Sequence, residues 1–170
     1  MALVRILIDG YSLLHSWPEL AAGAPRHSER ARDALVDVLQ QYQDACGTPV
    51  TVIFDGQSVR GRRPGTSPRA PRLVTSSPAS QAVGAVEVLF SGGGQTADDL
   101  IERAAHRFHD YGEVLVVTDD FAERRTVSAF DASVASCANF VRMVEQALTQ
   151  LRENLNRHNR AARDSFRRLH

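Results

Sequence analysis

Four short apolar runs, residues 3–8, 49–54, 86–90 and 113–117, are rich in Val, Ile and Leu, and no two lie close enough in the chain to pair through a hairpin turn. That spacing constrains the fold more than any other feature. Strands that cannot turn back on themselves must cross over, and crossovers that carry helices build a parallel sheet covered on both faces. The runs suit that environment. Residues 3–8 are apolar except for Arg5, and residues 49–54, PVTVIF, are β-branched, as strands buried on both faces tend to be.

The intervening segments supply the helices. Ser28 can cap a helix whose Ala31, Ala34, Leu35, Val38, Leu39 and Tyr42 recur at helical spacing, and Gly47 stops it. Thr96 opens a second helix with Asp99 three residues on, a capping-box pattern, and its apolar face is Leu100, Ile101, Ala104, Ala105 and Phe108. Ser136 can cap a long third helix with Phe140, Val141, Val144, Leu148, Leu151 and Leu155 on one stripe, and the ASVAS segment before it adds a short fifth strand. A Pro/Gly/Ala stretch ahead of Ser28 reads as irregular. The expected fold is therefore α/β: a single-domain, three-layer sandwich with a mainly parallel central sheet of four to five strands and a long C-terminal helix. The domain spans residues 1–156, with a flexible loop over 56–85 that is rich in Ser, Pro, Gly and Arg and has no periodicity, and residues 157–170 form a basic tail.

At 170 residues the chain is long enough to bury one core. No apolar run approaches the length of a bilayer crossing, no leader pattern precedes the first strand, and Cys46 and Cys137 lack metal-type spacing. These features lead to the expectation of a cytoplasmic protein with no membrane partner. Net charge is zero, yet all twenty basic residues are arginine and they cluster. Five, and no acid, lie from Arg60 to Arg72; six, against Glu153 and Asp164, lie beyond Leu151. Such patches suit a polyanion, although solvated faces are often basic as well.

Carboxylates follow the strands. Asp9 follows the first, Asp55 the second, Asp98 and Asp99 open the helix after the third, and Asp119 and Asp120 follow the fourth. In a parallel sheet all strand C-terminal ends share one edge, which is the ligand edge of open α/β folds. Each acid has an ordinary explanation of its own: a strand-end cap for Asp9, a turn for Asp55, the helix dipole for Asp98 and Asp99, a cap for Asp119 or Asp120. Together they form like charges that repel and raise one another's pKa unless a cation sits among them. Hard oxygen ligands without a His or Cys cluster favour Mg²⁺ or Mn²⁺, and such ions activate water and stabilise the charge that develops on a phosphodiester. An acidic metal edge flanked by arginines that hold phosphates is the arrangement a nuclease needs.

The order IDGYS, IFDG, TADDLIE and VVTDDF resembles the NYN domain, a relative of the PIN nucleases, and IDGYSLLHSWPEL is similar to the opening of its bacterial YacP branch, Trp17 and Pro18 included. Characterised members of that branch are ribosome-associated endoribonucleases. The resemblance, which runs from about Leu3 to Leu155, implies a divalent-metal-dependent endoribonuclease acting on single-stranded RNA, with mRNA on the ribosome as a candidate substrate. It implies Asp9 and Asp98 as principal catalytic and metal-binding acids and Asp120 as a further one, with Asp119, Asp99 and Glu102 in support. Tyr11, Ser12, Asp55, Arg60, Arg62 and Arg63 fall on the substrate side. Two departures stand out: Ser12 replaces the family's asparagine, and the 56–85 loop is longer and richer in proline.

Other classes fit less well. A phosphatase of the haloacid dehalogenase type needs a second Asp two residues after the first, which neither DGY nor DGQ supplies, and a receiver domain needs a lysine, which the chain lacks. A module of the same fold that binds RNA or the ribosome without cutting is the competing expectation, motivated by Ser12. His15 reads as a partly exposed structural residue, and His106 and His109 as solvated. Trp17 is open to two readings, a base-stacking residue or a local core anchor.

Overall fold

The computed structural model describes residues 2–56, 84–120, 125 and 132–168. Strand β1 (Leu3–Asp9) is the centre of a five-stranded sheet in the order β3-β2-β1-β4-β5, where β2 is Val50–Phe54, β3 Glu87–Phe90, β4 Glu113–Val117 and β5 Ser133–Ala135. Every pairing is parallel. The expected sheet is thus present, with the short ASVAS strand as its fifth member. The chain runs outward from β1 through β2 to β3, then crosses back to β4 on the other side of β1. That reversal puts a topological switch point at the C-terminal ends of β1 and β4, the position at which open α/β sheets bind their ligands.

Alternation along the strands divides the core in two. Ile6, Ile8, Val50, Val52 and Phe54 face one layer, made by α1 (Gly10–Ser16), α2 (Glu29–Cys46) and the long α4 (Cys137–Arg168). Leu7, Ile53, Val114 and Val116 face the other, covered by α3 (Ala97–His109) through Ile101 and Ala105. Both faces being covered explains why the strands are apolar throughout rather than alternating. Helix ends form as their sequences indicate. The Ser28 hydroxyl accepts from the Ala31 amide at 3.2 Å, Gly47 ends α2 in the left-handed region at φ 73°, and Thr96 and Asp99 close a capping box. Among the described residues no helix is long and apolar enough to cross a membrane.

Ahead of the Pro/Gly/Ala stretch, the segment after β1 forms α1, a helix not expected from the sequence. Asp9 caps it by accepting from the Ser12 amide, and Leu13 and Leu14 bury its inner face. A helix of two turns is too short for periodicity to reveal. The basic tail expected from residue 157 is the continuation of α4, whose 32 residues extend about 48 Å at 1.5 Å per residue. Cys137, Phe140, Val144 and Leu148 hold its first half to the core, whereas residues 151–164 and Phe166 are exposed.

Both glycines of the two Asp-Gly pairs are places of close approach. A Cβ on Gly10 would lie 2.3 Å from the ring of the fully buried Phe54, and one on Gly56 would lie 2.0 Å from the Ser91 carbonyl oxygen. Neither is a turn glycine in the left-handed region. Gly10→Ala is expected to lower the free energy of unfolding in urea by about 1–3 kcal/mol, because the Phe54 ring has no space to retreat into. Gly92→Ala, with open space and an ordinary φ, should change it by less than about 0.5 kcal/mol.

Candidate active site

The parallel register carries Asp9 to the sheet edge, opposite Ile53 of β2, while Ile8 is opposite Val117 of β4. Asp9 is half-buried, and both its oxygens are engaged by Ser12: Oδ1 accepts from the amide at 3.3 Å and Oδ2 from the hydroxyl at 2.6 Å. Burial pushes its carboxyl above the ordinary value of 3.8, against the lowering effect of the Ser12 and Tyr11 hydrogen bonds, and the charge of Asp120 pushes it further up. Asp9 and Asp120 are therefore within electrostatic reach of each other across the switch point. Asp120 is exposed, and its amide donates to the hydroxyl of the fully buried Thr118 at 3.1 Å.

Asp119 has a different task. Its Oδ2 accepts from the Ser16 hydroxyl at 2.8 Å and its Oδ1 from the Cys137 amide at 2.9 Å, so one carboxylate ties the end of β4 to the last residue of α1 and the first of α4. A negative charge at the N-terminus of α4 is favourable in itself. Asp98 and Asp99 stand exposed in the first turn of α3. Asp99 accepts from the Thr96 amide at 2.8 Å, and the Thr96 hydrogen bonds, followed by the charge of Arg103, hold its carboxyl below the ordinary range. Glu102, half-buried, lies one turn on from Asp98. Asp55 accepts from the Ser91 hydroxyl at 2.9 Å, which itself accepts from the Gly56 amide at 3.0 Å, so the ends of β2 and β3 are latched together.

Of the residues expected to meet substrate, Tyr11 packs edge-on to Phe54 and against His27, and its hydroxyl accepts from Arg32 at 3.3 Å. Arg60, Arg62 and Arg63 lie outside the described residues. His15 meets the guanidinium of Arg26 at an exposed position, His106 is exposed, and His109 is half-buried at the end of α3. Trp17, 7% exposed, is a core residue, which removes the base-stacking alternative for it. Ser16, Ser91, Arg32 and Phe90 were not singled out from the sequence. No motif marks them, since each acts through a partner tens of residues away in the chain.

Among the described residues, no three His, Cys, Asp or Glu side chains come together closely enough to hold a metal ion unaided. Asp9 and Asp120 remain a pair of hard oxygen donors at one crevice. That set suits Mg²⁺, which is usually held by one or two carboxylates and completed by water and substrate phosphate oxygens.

The chain and its fold have counterparts of known sequence and structure. The profile of the YacP-like NYN domain matches residues 6–169. The Bacillus subtilis (strain 168) protein described as "Uncharacterized protein YacP" is 29% identical over 141 residues, which are 82% of this chain and 74% of that protein. Two crystal structures of Rae1 (YacP) from Bacillus subtilis superpose on the fold. A point mutant gives a TM-score of 0.70 at 25% identity, covering 92% of this chain and 84% of that one. The other structure gives 0.69 at 26% identity, covering 92% and 81%. With residues 6–169 matched and the fold shared over 92% of its length, the chain belongs to the YacP-like NYN domain family, whose fold is of the nuclease type.

Proposed function

We propose that this protein is a divalent-metal-dependent endoribonuclease that hydrolyses unpaired RNA, mRNA carried by the ribosome included. The observation that carries the reading is the Asp9–Asp120 pair, a half-buried carboxylate and its like-charged neighbour at the switch point of an all-parallel sheet. A fold gains nothing from holding these charges together, so a cation is the natural occupant. Asp9 and Asp120 would hold Mg²⁺ or Mn²⁺ directly, with Asp98 acting on it through a bridging water, and the ion when bound supplies an activated water and neutralises charge on the phosphate. Ser12 keeps the Asp9 carboxylate oriented from the first turn of α1, Asp119 and Ser91 fix the strand ends around the crevice, and Arg32 and Tyr11 line its approach.

A module that binds RNA or the ribosome without cutting has one observation in its favour, the lack of a third acid close enough to complete a metal cluster among the described residues. One experiment separates the two. End-labelled unpaired RNA, free and ribosome-bound, is incubated with Mg²⁺ or Mn²⁺ and wild type, Asp9→Asn or Asp98→Asn. Metal stabilisation of a transferring phosphoryl group is worth several kcal/mol, so each variant is expected to lose cleavage by on the order of 100-fold or more. Cleavage that persists in chelator, or that both variants retain, would rule the metal site out.

The same pair has a thermodynamic signature. The Asp9 carboxyl holds its proton in the fold above the pH near 3.8 at which the ordinary group releases it. Stability therefore falls as pH rises through the interval from that value to the raised one, and it stays lower at neutral pH. In metal-free buffer at pH 7, Asp9→Asn should match or exceed the wild-type melting temperature, because the amide can still cap α1 without the buried charge. The gap should close below pH 3.8. Added Mn²⁺ or Mg²⁺ should raise the melting temperature of the wild type and leave that of the variant where it is.

A further inference from the structure

Tyr11, Phe54 and Phe90 form a row of rings along the C-terminal edge of the sheet, from the start of α1 to the end of β3. Phe54, fully buried, is the middle ring; Tyr11 meets it edge-on at 5.1 Å between centroids, and Phe90 lies stacked on it at 5.5 Å with 27° between the planes. Phe90 is 44% exposed, although Val88 and Leu89 before it pack against the two cores. Arg32 of α2 reaches over the row. Its guanidinium donates to the Tyr11 hydroxyl and, at 2.8 Å, to the His27 carbonyl, and its Cζ stands 5.8 Å from the centre of the Phe90 ring.

An exposed phenylalanine by itself signifies little. This one is held flat against a buried ring, beside a guanidinium fixed by two hydrogen bonds, and two strand spacings, about 10 Å, along the edge from Asp9. A rigid aromatic face with a cation at its rim is what an unpaired base stacks on, because every base has a π-face and every base is joined to a phosphate. A base inside a duplex keeps its own stack and has no reason to leave it. With Trp17 in the core, Phe90 is the exposed aromatic side chain in this row.

We propose that Phe90 and Arg32 form a nucleotide subsite in which an unpaired RNA base stacks on the exposed part of the Phe90 ring and Arg32 takes the adjoining phosphate. The subsite rests on the reading of the protein as a ribonuclease and deepens it: the platform selects single-stranded over paired RNA beside the acids.

The test uses the full chain in chelator, so that binding is read without cleavage, and a short unpaired oligoribonucleotide carrying 2-aminopurine, whose fluorescence is quenched on stacking. Phe90→Leu is expected to weaken binding about tenfold and abolish the quenching, Phe90→Trp to restore both, and Arg32→Met to reduce the slope of log affinity against log salt by about 0.7. Circular dichroism of each variant confirms the fold. Affinity and quenching in Phe90→Leu equal to wild type would overturn the subsite and assign the ring to a protein contact. Wild-type protein that binds the oligomer with quenching but cuts no RNA with any metal would support the subsite and sink the nuclease reading. Wild-type protein that does not bind at all would overturn both.

Discussion

The hydrogen-bond ladders that β1 shares with β2 on one side and β4 on the other fix everything that happens at the crevice. Because both ladders are parallel, each strand delivers its last residues to the same edge, and because β1 is central, Asp9 is delivered to the middle of it. A shift of one residue in either register would move the Leu7 and Ile8 side chains to the wrong layers. The two cores therefore specify the site as firmly as they stabilise the fold.

Around that ladder the polar groups divide into those that build and those that face the crevice. Asp119, Asp55 and Asp99 give carboxylate oxygens to hydroxyls and amides at the ends of elements, where a negative charge is welcome. Asp9 gives its oxygens to Ser12 as well, yet burial and the charge of Asp120 outweigh that help and leave its carboxyl raised. A group that the fold holds at a cost, among neighbours held at a gain, is where a ligand has most to contribute. Serine in place of the family's asparagine does not leave Asp9 without a donor, since the hydroxyl reaches Oδ2 at 2.6 Å.

The sheet and its helices were legible because they rest on local signals: apolar runs too far apart to form hairpins, Ser28 and Gly47 bracketing α2, Thr96 and Asp99 opening α3. The short α1 was not, since two turns hold too little periodicity and its cap, Asp9, reads equally well as the end of a strand. At the site, the sequence places acids at strand ends but does not say which ones spend their oxygens on structure. Asp119 and Asp120 are adjacent and chemically identical. Only the positions of Ser16 and Cys137 distinguish them, and those partners come together through tertiary packing. The same holds for Trp17, whose burial follows from how α1 and α2 meet, and for Phe90, which becomes notable only once Phe54 and Arg32 are beside it.

The position of β1 also bears on when the site exists. The central strand needs a distant partner, for β4 lies beyond β2, β3 and α3 in the chain. Closing so long a loop adds little to its entropic cost but makes the pairing slow to find. Asp9 is separated from Asp120 by five intervening elements, and the two can meet only once the chain has crossed back. The two acids thus depend on one long-range pairing, and a chain in which β1 and β4 have not met keeps them apart.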